Sequence, residues 1–172
     1  MKTPDIKPNP NPTKRYEIAV TIDGAPGSFD SVGAIVQYEV ENNQCVPLQA
    51  GSGARLAPDK SIPLQLTKTG NVYKSTFYID QLQDEDYYGL GVCHWSIVGI
   101  SANLKVRAVT FSSDLFRSEI LSQKLVYRYF PDRAYSKVGI SGVVTGNAER
   151  ADFKEDVNKT FSVSLVAKAT QS

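Results

Sequence analysis

Apolar and polar side chains alternate with a period of two along most of the chain, the spacing of strands that bury one face. Tyr16, Ile18, Val20 and Ile22 share one side of a first run, and Val36, Tyr38 and Val40 share one side of a second, predicted over 32–40. Ile62-Pro63-Leu64-Gln65-Leu66 alternates again, and its proline, which lacks a backbone donor, suits a sheet edge. Thr69-Gly70-Asn71 predicts a hairpin into a strand over 72–79. Further strands are predicted over 92–100, 104–111, 124–130, 136–145 and 160–167. Ser113 predicts a cap for one or two helical turns over 113–121, and the polar stretch 147–158 predicts a short helix or a mobile loop. Roughly eight or nine short strands with frequent turns predict an all-β fold, a Greek-key β-sandwich of the immunoglobulin-like or a related kind with one or two short helices.

Length and charge change this picture little. A chain of 172 residues predicts one domain, assigned to residues 16–172. Residues 1–15 hold four prolines and no apolar periodicity, and predict a flexible tether. No stretch is apolar enough to span a membrane. The net charge of +1, with no basic stripe, gives no reason to expect nucleic acid. The charge is uneven, however: +3 over residues 1–15, −6 over 16–102 and +4 over 103–172. Such bipolarity favours steered docking to another charged surface, unless it is only local scatter.

The rarest residues gather in one stretch, Asp84-Glu85-Asp86-Tyr87-Tyr88-Gly89-Leu90-Gly91-Val92-Cys93-His94-Trp95, which contains the only histidine and the only tryptophan. Its cysteine has one possible partner, Cys45, without the CxxC spacing of metal or redox sites. A bridge between them would close a long loop, contribute roughly 4 kcal/mol by chain entropy, and imply an oxidising compartment. Two buried thiols in a reducing one are the alternative. One histidine is too few for an HExxH or C₂H₂ zinc site, and His94 should point away from Cys93 along a strand. Gly139-Ile140-Ser141-Gly142 is one residue short of a nucleophile elbow. No catalytic set, metal site or cofactor is therefore expected. Asp80 and the acids at 84–86 leave room for a calcium-dependent or glycan-binding envelope module, although they do not follow EF-hand spacing. A structural adaptor in envelope assembly is a further alternative.

Two resemblances follow from these residues. Leu82-x-Asp84-x-Asp86-x-Tyr88 running into Cys93 resembles the tyrosine corner of immunoglobulin-like sandwiches, with Tyr88 five residues before the cysteine instead of two. More broadly, Tyr16-Glu17-Ile18, Asp23 to Val32, Gln37-Tyr38-Glu39-Val40, Cys45-Val46-Pro47, Ser52 to Pro58 and Gln83 to Trp95 resemble small bacterial lipoproteins. Those are similar to immunity proteins encoded beside type VI secreted phospholipase effectors. The resemblance implies a non-enzymatic periplasmic inhibitor that binds a phospholipase (lipase) toxin over its active site or lid. It also implies an N-terminal lipid anchor whose cysteine is absent from this chain. The expected contact residues are Phe29 and Asp30 at the tip of one turn, and Asp84, Glu85 and Asp86 in another. A Phe29 ring folded back onto the sandwich is the alternative reading of that position.

Overall fold

The computed structural model describes residues 4–136, 142–150 and 158–170. Two five-stranded sheets make a β-sandwich. In chain order the strands are β1 Arg15–Asp23, β2 Ser31–Val40, β3 Asp59–Leu64, β4 Thr67–Thr69, β5 Val72–Tyr78, β6 Trp95–Val106, β7 Val109–Phe116, β8 Val126–Pro131, β9 Gly142–Thr145 and β10 Thr160–Ala169. One sheet runs β4-β5-β1-β10-β8 and the other β3-β2-β6-β7-β9, antiparallel except for the β7–β9 pair. Two five-residue helices, α1 Arg117–Leu121 and α2 Asp132–Ser136, flank β8.

The alternation places the core where it was expected. Across the β1–β10 pair Ile18 sits opposite Ala167, Val20 opposite Leu165 and Ile22 opposite Val163, all of them buried except the half-buried Ile22. Val36, Tyr38, Ile100, Ala102 and Leu104 supply the facing sheet. Phe111, Phe130 and Phe161 meet in the middle with ring centroids 5.3 Å apart. Each such fully buried side chain contributes about 1.5–3 kcal/mol. Pro63 lies on β3, an edge strand, as its missing donor requires.

Three expectations are corrected. The turn expected near residue 102 does not exist. β6 runs unbroken from Trp95 to Val106, and the reversal falls at Arg107-Ala108, between the paired Val106 and Val109. Arg107 adopts a positive φ of 53°, and the Asp30 carboxylate accepts its N–H at 2.8 Å. Tertiary support thus replaces the usual Asn or Gly of such a turn. Ser113 is no helix cap either: it is buried within β7, and the helix starts only at Arg117, with the Glu119 side chain accepting the Phe116 N–H at 3.0 Å. Half of the expected 136–145 strand and most of the 147–158 segment lie outside the described residues; within them, Ser136 ends α2 and Gly142–Thr145 forms β9.

The third correction concerns the proline-rich start, which is fastened to the domain along 79–83. Asn9 N–H donates to Gln81 O at 2.8 Å, Gln83 N–H to Lys7 O at 2.9 Å and Ile79 N–H to Lys14 O at 2.9 Å. The Asp80 carboxylate accepts the backbone N–H groups of Thr13 and Lys14 at 2.9 and 3.0 Å. Burial works to raise the Asp80 pKa, but these N–H donors and the Thr13 hydroxyl outweigh it, so the net shift is downward. A chain without apolar periodicity can still dock when its backbone groups find partners.

Candidate functional site, a disulfide-tied lobe

Cys45 and Cys93 form a disulfide with a Cα–Cα distance of 5.4 Å, and no cysteine remains free. The bridge ties together the loops that leave β2 and enter β6. Around it stands a second small core of Val40, Cys45, Val46 and Cys93, on which Ala57, Tyr87, Tyr88 and Trp95 pack. A closed disulfide is compatible with a protein that works outside the reducing cytosol, and no helix among the described residues is long and apolar enough to cross a membrane.

Polar ties repeat what the disulfide does. The Asn42 side chain donates to Val92 O and accepts the His94 N–H, both at 2.7 Å. Glu41 N–H donates to His94 O at 2.9 Å, and Cys93 N–H to Glu85 O at 2.8 Å. Arg55 reaches across its own loop to the carbonyl of Val46. Between Glu85 and Cys93 the chain makes a closed loop, whose sharp course depends on Gly89 and Gly91 at φ +76° and +110°. L side chains rarely adopt these angles. The Asp86 carboxylate accepts the Gly89 N–H at 2.7 Å and stiffens the same turn.

Asp84 is the organiser of the acidic cluster. One of its oxygens accepts the Trp95 backbone N–H at 2.9 Å, and the other lies 2.9 Å from His94 Nδ1. His94 is thus a surface partner of Asp84, pointing away from the buried Cys93 as strand alternation predicts. Asp80, Asp84 and Asp86 are all occupied by N–H donors, and among the described residues no three His, Cys, Asp or Glu groups come together to hold a metal ion. The corner-like tyrosine is Tyr87, not Tyr88. Tyr87 Oη donates to the carbonyl of Gln83, four residues upstream, at 3.2 Å and accepts the Trp95 indole N–H at 3.0 Å.

The expected contact residues do not form one surface. Asp84, Glu85 and Asp86 lie at the end of the sandwich where Val40 pairs with Trp95, whereas Phe29 and Asp30 lie where Ser31 pairs with Lys105. Nine residue steps along β2, at about 3.3 Å each, put roughly 30 Å between these ends. Phe29 does not stand at a loop tip. Its ring is half-buried and packs on Phe111, Tyr135 and Phe161 at centroid distances of 5.9, 5.5 and 6.1 Å. An apolar ring at the open end of a core gains more from that packing than from water.

Sequence reasoning passed over the lobe's apolar surface. Leu48 and Leu56 on one tied loop are each 59% exposed, and Leu90 and Val92 on the other are 52% and 45% exposed. Singly these leucines look like ordinary loop residues. Only the bridge between positions 45 and 93 signals that both loops belong to one lobe. Comparison with protein-family models, curated proteins and solved structures returns no match.

Proposed function

We propose that the chain is a binding module, a periplasmic immunity protein whose disulfide-tied lobe caps the active-site mouth or lid of a secreted phospholipase toxin. One observation carries the reading: large aliphatic side chains stay exposed on two loops that the disulfide, Asn42 and Asp84 hold in place. Exposed apolar groups next to carboxylates match a partner surface that is apolar at its centre and basic at its rim. A lipase must present an apolar mouth to reach its substrate, and capping it requires no chemistry from the inhibitor. Loops fixed before contact lose little conformational entropy on binding, which favours affinity.

The test is expression of the exported full chain in cells that receive the product of the adjacent gene, the proposed phospholipase partner. Survival, lost when Leu56→Asp and Leu90→Asp are combined, supports the reading. Killing that proceeds unchanged in the presence of the folded protein overturns it.

A further inference from the structure

At the lobe end the two sheets part, and a cleft of about 560 Å³ opens between them. Its apolar lining comes from Tyr16, Ile79, Trp95 and Ile97, with the 46%-exposed Leu121 at its edge. Its rim carries Lys14, Arg15 and Arg117 against a single lining carboxylate, Glu41. Arg117 and Glu41 approach only to 3.9 Å, with both side chains about half exposed, so solvent screens most of their attraction. Among the described residues Lys14 and Arg15 have no ion-pair partner at all. Asp80, in the groove that adjoins the cleft past Lys14 and Trp95, is already engaged by Thr13 and Lys14 N–H groups. Among the described residues, therefore, neither Glu41 nor Asp80 pairs with Lys14 or Arg15.

A concave apolar floor under a ring of cations is complementary to a molecule with an apolar body and one anionic end. The volume falls within the range of about 300–1,000 Å³ typical of small-molecule sites. We propose that this cleft binds a single-chain anionic amphiphile of the fatty-acid class. Its carboxylate sits among Lys14, Arg15 and Arg117, and its chain lies along Trp95, Ile97 and Leu121. Arginine suits the head because its planar fork meets both carboxylate oxygens. The site is separate from the exposed leucines of the lobe and does not depend on the toxin-capping reading.

Trp95 is the only tryptophan in the chain, so its emission reports the cleft directly. The experiment titrates the full-length protein with decanoate below its micelle concentration, and in parallel with decanol, decyltrimethylammonium and acetate. Decanoate is expected to shift Trp95 emission saturably and to bind at least about tenfold more tightly than the other three, a gap of about 1.4 kcal/mol. Combining Lys14→Gln with Arg117→Gln, both at exposed side chains, should weaken decanoate about tenfold with an unchanged melting temperature. Ala169→Phe, a bulky side chain at an exposed position of the lining, should obstruct the cleft and abolish the shift. Absence of a saturable decanoate response overturns the assignment. So does equal affinity for decanol or acetate, or full affinity in the double charge variant.

Discussion

Tyr87 and Trp95 orient one another: the Trp95 indole N–H donates to the Tyr87 hydroxyl at 3.0 Å, and that hydroxyl donates to Gln83 O at 3.2 Å. The chain thereby fixes the wall shared by the lobe and the cleft. Burial raises the Tyr87 pKa, the Trp95 N–H works against that, and the charges of Glu85 and Asp84 add to the rise. Tyr87→Phe leaves the half-buried indole N–H unpaired and should cost about 1–2 kcal/mol in urea unfolding. Tyr88→Phe should cost less than about 0.5 kcal/mol, because that ring contributes packing alone, edge-on to Tyr87 at 6.4 Å.

Replacing both Cys45 and Cys93 by serine opens a crosslink that spans a sequence separation of 48. Chain entropy predicts a loss of about 4 kcal/mol, measured as a lower urea midpoint. Hydrogen exchange should rise first in the loops at 46–58 and 85–93, since the two five-stranded sheets do not depend on the bridge. Uniform loss of protection across β1 and β10 would contradict that division.

Asp80 makes the docking of the N-terminal segment acid-sensitive. Its folded pKa lies below the ordinary carboxylate value, so its stabilisation is fully present above about pH 4. It is lost as pH falls through the lowered folded pKa. Hydrogen exchange of Thr13 and Lys14 should therefore accelerate at acid pH in the native protein. Asp80→Asn should show the faster exchange already at neutral pH.

Tyr38 sets the alkaline limit. Its hydroxyl donates to Tyr78 O at 2.6 Å, and burial, followed by the Asp80 charge, raises its pKa strongly. A raised folded pKa gives stability that is complete below the unfolded value of about 10 and is lost as pH rises toward the folded one. Unfolding midpoints should fall above about pH 10. Tyr38→Phe should flatten that fall while costing about 1 kcal/mol at neutral pH.

Phe29→Ala separates core from contact. Three aromatic neighbours predict a loss of about 2–3 kcal/mol of stability, somewhat below a fully buried phenylalanine. Partner binding by the folded remainder should be unchanged. Weakened binding at full stability would return Phe29 to the contact surface.

What the sequence conveyed depended on period and spacing. Ile18, Val20, Leu165 and Val163 were legible as core because alternation is a local signal, and Cys45 had only Cys93 to pair with. The Arg107-Ala108 hairpin was illegible because its support, Asp30, comes from far away in the chain. For the same reason the docking of residues 6–14 was hidden: it rests on backbone groups and on Asp80, not on an apolar pattern. Asp84 and Asp86 read as free acids because the N–H groups they accept are set by the folded turn. Leu48, Leu56, Leu90 and Val92 acquire meaning only once two distant loops are known to be tied together.

The most direct measurement is the rate of phospholipid hydrolysis by the purified product of the adjacent gene, the proposed phospholipase partner, as the oxidised protein is added. The proposed capping predicts inhibition that is complete near a one-to-one ratio and that is relieved by combining Leu56→Asp with Leu90→Asp. Hydrolysis that continues at its full rate under an excess of folded, disulfide-bonded protein would contradict it.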